Sequence, residues 1–217
     1  MTRRVVVVNA GVSAASSTRL LAEQLAGAVD AAVSTRGEQV QIDYIDVASL
    51  ARDLATAVTS GVSSTQVRAA HDMVADADGL IVATPVFAAS YSGIFKMFFD
   101  TLDPDSITGV PVLAAATAGT PRHSLVIDHA IRPLLAYLRA DVLPTGTFAA
   151  TDDFGSTELS GRVSRAGSEL AQRLVSDGAV AGFGGPTESA PRRSGHSTDL
   201  GPVTDFASLL NGHTGQV

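Results

Sequence analysis

The stretch VVVVNAGVSAASSTRLLAEQL, residues 5–25, decides the fold. It opens with four consecutive valines, a β-branched run that predicts a strand covered on both faces. It closes on Leu21 and Leu25, which begin a four-residue spacing that continues at Val29 and Val33 and predicts a helix. Small and hydroxyl residues fill the turn between the two. A buried strand that leads through a short turn into a helix is the building unit of parallel α/β sheets.

The same alternation of strand and helix continues along the chain. Apolar runs predict strands at residues 5–8, 40–45, 79–83, 110–116 and 141–150, and each is followed by a helical pattern. These βα repeats predict an α/β fold, a three-layer, doubly wound, five-stranded parallel sheet. The second run alternates apolar with polar residues and the fifth contains Pro144, and both features are typical of edge strands. The strand order 2-1-3-4-5 places those two strands at the edges.

Length and composition limit the class of protein and its partners. The 217 residues suit one domain, which we expect over residues 1–177, with a flexible Gly/Pro/Ser-rich extension over residues 178–217. The net charge of −7 argues against nucleic acid or an anionic membrane as the main partner, and no apolar run is long enough to span a membrane. The absence of cysteine excludes disulfides, thiolate metal sites and cysteine catalysis. We expect a cytoplasmic, soluble protein.

The first βα turn is a candidate phosphate site. A helix N-terminus offers free N–H groups and a partial positive charge, and this turn adds hydroxyl donors and a cation. The turn has neither the G-x-G-x-x-G pattern nor a Walker A pattern, which disfavours a dinucleotide fold and an NTPase. The alternative is that Ser16 or Ser17 merely caps the helix.

Two further turns carry small residues and hydrogen-bond donors. The third predicted strand ends at Thr84 and is followed by PVFAASYSG, and the fourth ends at Ala116 and is followed by TAGTPRH. Ligands of open α/β sheets gather at the carboxyl ends of the strands, so these turns suit a flat heteroaromatic ligand. The alternative is a tightly packed crossover in which Phe87 and Tyr91 fill the core.

These turns resemble a known family. ATPVFAASYSGIFKMFFD is similar to the P-V-Y-x-x-S-Y-S-G-x-x-K signature of NAD(P)H-dependent FMN reductases of the flavodoxin-like superfamily. NAGVSAASSTRLLA resembles their phosphate loop and ATAGTPRHSL their third flavin loop. The resemblance covers about residues 3–175, and it is nearest to the type that supplies reduced flavin to luciferase-like monooxygenases.

The resemblance implies a site residue by residue. The family would place the FMN phosphate among Ser13, Ser16, Ser17, Thr18 and Arg19. It would place the isoalloxazine ring and ribityl chain along Pro85, Val86, Phe87, Ser90, Tyr91 and Ser92, with the ring edge at Thr117, Ala118, Gly119 and Thr120. This sequence has Phe87 and Ala88 where the family pattern often has tyrosine and lysine, so a hydroxyl and a charge are missing there.

The implied reaction is hydride transfer from the nicotinamide to flavin N5. The flavin carries that chemistry, so we expect no catalytic acid, base or nucleophile from the protein. Arg122 and His123 follow the third turn and are candidates to meet a phosphate of the nicotinamide nucleotide, with an exposed surface role as the alternative. The histidines lack the spacing of metal ligands, so we expect no metal site.

Oligomeric state and partners complete the expectations. Phe95, Met97, Phe98 and Phe99 place apolar side chains nearly all round one helix, which predicts a homodimer, or a tetramer, that buries this helix. The resemblance also implies a flavin-dependent monooxygenase as a possible partner. Two other functions stay open: an FMN-containing quinone, azo or chromate reductase, and a non-enzymatic flavodoxin-type electron carrier. The choice between NADH and NADPH stays open too.

Overall fold

A computed structural model describes residues 2–13 and 15–175. The predicted extension over residues 178–217 lies outside the described residues. The strands are β1 (Thr2–Asn9), β2 (Gln39–Asp46), β3 (Gly79–Phe87), β4 (Ser90–Tyr91), β5 (Pro111–Ala118), β6 (Asp141–Val142) and β7 (Thr147–Ala150). The α-helices are α1 (Ser17–Thr35), α2 (Ala51–Ser60), α3 (Thr65–Ala75), α4 (Gly93–Asp100), α5 (Arg132–Tyr137) and α6 (Thr157–Leu174).

The predicted sheet is confirmed. Its main path runs β2-β1-β3-β5-β6, all parallel, with β7 continuing beside β5 where β6 ends. Counting β6 and β7 as one interrupted edge strand, this is the order 2-1-3-4-5 of the flavodoxin-like fold. The alternating second strand and the proline-containing last strand both lie at edges, as their sequences predict.

The valine run of β1 shows why the sheet has a layer of helices on each face. Val6 and Val8 pack into one core and Val5 and Val7 into the other, and all four are fully buried. The first core lies under α3 and α4, and the second lies under α1 and α6. Helices α1 and α6 touch so closely that a Cβ on Gly167 would come within 2.7 Å of the Ala28 Cβ.

The third strand runs further than its apolar run predicts. Its predicted end at Thr84 is wrong, because β3 continues through Pro85 to Phe87. Proline is tolerated there because β1 ends opposite Ala83. The Ala83 carbonyl points towards β1, because it accepts a hydrogen bond from the Ala10 N–H at 2.9 Å. Residues two apart in a strand direct their backbone N–H and C=O groups to the same side, so Pro85 also faces β1. The N–H that Pro85 lacks would therefore point past the end of β1 and break no ladder bond.

Two prolines interrupt regular secondary structure near the last strand. Pro133 divides the helical pattern of residues 124–138, since a π-helical turn (Ile127–Ile131) precedes α5 and Pro133 lies in the first turn of α5. Pro144 lies in the gap between β6 and β7. The Arg132 guanidinium donates to the Leu143 carbonyl at 2.8 Å and to the Pro144 carbonyl at 3.0 Å, so the interrupted strand keeps hydrogen-bond partners.

Candidate functional site

Three turns meet at the carboxyl edge of the sheet. The first follows β1, the second lies beyond the part of β3 that pairs with β1, and the third follows β5. Pro85 pairs with Thr117 in the ladder between β3 and β5, so the second and third turns begin side by side. The Thr18 and Thr117 hydroxyl oxygens lie 2.7 Å apart, which joins the first turn to the third. The fold therefore brings together the three segments that the sequence singles out.

The first turn is held by its own side chains. Ser16 caps α1, because its hydroxyl accepts a hydrogen bond from the Arg19 N–H at 3.2 Å. The Asn9 side-chain oxygen accepts from the Gly11 N–H at 3.1 Å. Gly11 has no room for a side chain, since a Cβ there would come within 2.0 Å of the Ser16 hydroxyl oxygen. The sequence analysis does not identify Asn9 as a residue that holds this turn. The signal for it is a polar residue directly after the buried valine run.

The outer surface of the same turn is open to a ligand. Ser13, Ser17 and Arg19 are exposed. The Arg19 Nε donates to the Glu23 carboxylate at 2.8 Å, and this hydrogen bond is the main reason why the pKa of Arg19 lies above its ordinary value. An open cleft at this surface is lined by Ala15, Ser16, Ser17, Arg19, Leu20 and Glu23. A cation and hydroxyl donors beside a helix N-terminus form a donor set that suits a phosphate.

The second turn is a β-hairpin. Strands β3 and β4 pair antiparallel through Val86 with Tyr91 and Phe87 with Ser90, and the link is only Ala88–Ala89. Both linking alanines have positive φ, 47° and 66°, as a two-residue type I′ turn requires. The alternative of Phe87 as core filler is wrong, because this side chain is 49 % exposed. Tyr91 is half-buried and packs against Phe95, with 5.6 Å between the ring centroids.

Buried hydroxyls connect the hairpin to α4. The Ser92 N–H donates to the Thr84 hydroxyl at 3.0 Å, and both residues are almost completely buried. The Ser92 hydroxyl caps α4 by accepting from the Phe95 N–H. Ser92 thus holds the base of the hairpin, whereas Ser90 is half-buried nearer to its tip.

The third turn runs from a buried end to an open one. Thr117 is 3 % exposed and Ala118 is half-buried, whereas Gly119 and Thr120 are exposed. A Cβ on Gly119 would meet no other atom within 4 Å, so the backbone there faces open space. A 3₁₀ turn (Pro121–His123) follows and carries Arg122 exposed and His123 half-buried.

Residues 2–13 and 15–175 contain neither a candidate metal centre nor a candidate membrane-spanning helix. No group of three or more His, Cys, Asp or Glu side chains there could hold a metal ion. In the same part of the chain, no helix has the length and apolar character needed to cross a membrane.

Comparison with known proteins identifies the family. A family model described as NADPH-dependent FMN reductase matches residues 3–155. The chain belongs to this family. Membership confirms the predicted activity of an NAD(P)H-dependent FMN reductase, an oxidoreductase that uses FMN and NAD(P)H.

Relatives support the assignment over most of the FMN reductase chain. An NADH-dependent FMN reductase, SfnF, from Pseudomonas putida is 36 % identical over 156 residues, which cover 72 % of this chain and 82 % of SfnF. An FMN reductase (NADPH) from Pseudomonas aeruginosa is 33 % identical over 187 residues, 85 % of this chain and 95 % of the relative. The crystal structure of an oxidoreductase from Corynebacterium diphtheriae has a TM-score of 0.77 at 51 % identity, covering 80 % of this chain and 97 % of that one. The names include both nicotinamide cosubstrates.

Proposed function

We propose that this FMN reductase holds FMN across the three turns, with the phosphate at the start of α1 and the ring between the hairpin and the third turn. The observation that carries the proposal is the convergence of the turns. Thr18 and Thr117 are joined at 2.7 Å, and Pro85 lies beside Thr117 in the sheet. Ligands bind at this edge in open α/β sheets.

The phosphate end of the proposed site is built from exposed donors. Ser13, Ser17 and Arg19 face the open surface of the first turn, with Ser16 and Thr18 behind them as cap and anchor. The side chain that would obstruct this turn is absent, because position 11 is glycine. A single phosphate suits such a donor set, since backbone N–H groups and hydroxyls share its charge with one guanidinium.

The ring end combines an apolar wall with an open backbone edge. Val86 and Phe87 provide the wall, and the exposed backbone at Gly119 and Thr120 lies on the side of the third turn. Bound FMN supplies the hydride-accepting chemistry. The chain orients the ring and leaves one face accessible, so its contribution to the rate is positioning. We place Arg122 and His123 at the entrance for the nicotinamide nucleotide, where the exposed guanidinium can meet a phosphate.

A charge placed at the first turn tests the proposal. Ser17 is the first residue of α1 and Thr157 is the first residue of α6; both are exposed, and both follow a serine cap. A glutamate at either position interacts equally well with its helix dipole. We expect Ser17→Glu to raise the Kd for FMN by about tenfold or more through repulsion of the phosphate, and to change the Kd for riboflavin less than about twofold. Thr157→Glu is the matched control and should alter neither. Equal effects of the two variants on FMN would overturn the proposed phosphate site.

We also propose that FMN exchanges and that reduced FMN passes to a flavin-dependent monooxygenase. Arg19 is exposed, and its guanidinium is already paired with the Glu23 carboxylate. An ion pair between Arg19 and the FMN phosphate would therefore add little net affinity, which supports the exchange of FMN. Gel filtration of protein mixed with FMN tests this: loss of flavin on the column supports exchange. Retained flavin with rapid quinone reduction would favour the quinone reductase alternative, and retained flavin without NAD(P)H oxidation would favour an electron carrier.

We also propose a homodimer or a tetramer, although helix α4 does not require one. Phe95, Phe98 and Phe99 are buried within one chain, so they do not require a second subunit. Leu125 and Tyr137 are 61 % and 79 % exposed, and we propose that a second subunit of a homodimer or tetramer covers them. Light scattering at micromolar concentration decides between these states and a monomer. We place the protein in the cytoplasm, where pyridine nucleotides and FMN are available.

A further inference from the structure

The Thr18 and Thr117 hydroxyls form a buried link between two of the site's turns. Thr18 lies in the first turn of α1, Thr117 lies near the carboxyl end of β5, and they are 99 residues apart in the chain. Their exposed fractions are 2 % and 3 %, so neither hydroxyl is an open donor for a ligand. Sequence reasoning grouped both with the cofactor-contacting residues, whereas their geometry points to a different role.

We propose that this pair is a positioning device that fixes the distance between the phosphate-binding turn and the ring-binding turn. The inference rests on the FMN site proposed above. A hydrogen bond of 2.7 Å between hydroxyls is near the ideal length, and burial makes its loss costly to either partner. The other buried hydroxyl contact at the rim, Ser92 with Thr84, connects residues of a single turn with its own strand. The Thr18–Thr117 pair instead joins segments that would hold opposite ends of one ligand.

The consequence depends on whether a ligand touches one turn or both. FMN would span both, so its affinity depends on the distance that the pair sets before binding. Lumiflavin carries the ring without the ribityl phosphate and would touch only the ring-binding turn. A break in the link should therefore weaken FMN binding selectively. General loss of stability would weaken the binding of both ligands.

The variants separate the hydroxyl from the methyl group. Thr117→Val keeps the shape of the side chain and removes the hydroxyl, whereas Thr117→Ser keeps the hydroxyl and removes the methyl. We expect Thr117→Val to raise the Kd for FMN by about tenfold, because FMN binding must then restore the distance between the turns that the hydrogen bond otherwise sets in advance. The Kd for lumiflavin should change less than about twofold, and Thr117→Ser should bind FMN nearly as the wild type does. Flavin fluorescence measures each constant.

Thr18→Val and the double variant complete the test. Thr18→Val breaks the same bond from the helix side and substitutes for Thr117→Val if that protein does not fold. The double variant should bind FMN no more weakly than the weaker single variant, because both changes remove one shared bond. Three results would each overturn the inference: equal increases in the Kd for FMN and for lumiflavin, weak FMN binding by Thr117→Ser, or a double variant in which the losses of FMN affinity add. If the wild type binds lumiflavin but does not distinguish FMN from riboflavin, the proposed phosphate site itself fails.

Discussion

The hairpin between β3 and β4 gives the most direct test of the structure, because its link is made of residues that disfavour its conformation. Ala88 and Ala89 both have positive φ, at 47° and 66°. An L-residue in the left-handed region carries a penalty of about 1–2 kcal/mol, which glycine avoids. Replacing Ala89 with glycine removes that penalty but gives the unfolded chain more freedom, at a cost of about 0.5–1 kcal/mol. The net result is a gain of about 0.5 kcal/mol in the free energy of unfolding.

Ala31→Gly is the matched control. Ala31 is exposed inside α1, where glycine lowers stability by about 1 kcal/mol. Each variant replaces one alanine with glycine, so the extra freedom of the unfolded chain is the same in both and cancels when their free energies of unfolding are compared. That difference is about 1.5 kcal/mol, or about 3–6 °C in Tm for a chain of this size.

Thermal unfolding of the two variants and the wild type, monitored by circular dichroism, measures this difference in Tm. Ala89→Gly should have a Tm slightly above that of the wild type, and Ala31→Gly a clearly lower one. Ala88→Gly serves as a repeat with the same expected sign. If Ala89→Gly lowers the Tm as much as Ala31→Gly does, the hairpin does not hold Ala89 in the left-handed region and the reasoning is refuted.

Three further predictions concern a buried hydroxyl, a crowded glycine and an ion pair. Thr147 is fully buried, and within the described residues its hydroxyl has no hydrogen-bond partner, so Thr147→Val should leave the free energy of unfolding unchanged or raise it by up to about 1 kcal/mol in urea denaturation. Gly11→Ala should lower the free energy of unfolding by about 1–3 kcal/mol, because the new Cβ clashes with Ser16. Ser16→Gly alone should lower it by only a few tenths of a kcal/mol and should restore the stability of Gly11→Ala when the two are combined. A double variant as unstable as Gly11→Ala would contradict the clash. The Arg4 hydrogen bond lowers the pKa of Asp43 below its ordinary value of 3.8, so the ion pair stabilises the fold above that pH and stops doing so as the pH falls through the lowered pKa. The Tm gap between wild type and Asp43→Asn should therefore be constant near neutral pH and shrink below about pH 4, and a gap independent of pH would contradict the role of the pair.

Most of the fold could be predicted because its signals are local. Four buried valines, the alternation in β2 and the proline at position 144 each report on their own segment, and together they predict the strand order. The end of β3 could not be predicted in this way. Pro85 reads as a strand terminator until the register shows that β1 ends opposite Ala83, and that register is a property of two strands.

In the candidate site too, local features could be predicted from the sequence, whereas features that depend on distant segments could not. The sequence predicts which three turns meet, because strand ends can be located from apolar runs and because the motifs resemble those of the family. It does not predict the hairpin, since Ala88–Ala89 lacks the Asn-Gly or Asp-Gly pattern that marks a type I′ turn. Strain of this kind can be recognised only from backbone angles.

The roles of the hydroxyl residues show why contact and support cannot be separated from the sequence. Ser16, Ser17 and Thr18 are adjacent and chemically similar, yet one caps the helix, one is exposed and one is buried against Thr117. Helical geometry points neighbouring residues in different directions, so their exposure depends on how α1 lies against the sheet. The partner of Thr18 is decided by packing between segments that are 99 residues apart. A change at any one of these three residues should therefore affect a different quantity: helix stability at Ser16, phosphate affinity at Ser17, and the distance between the turns at Thr18.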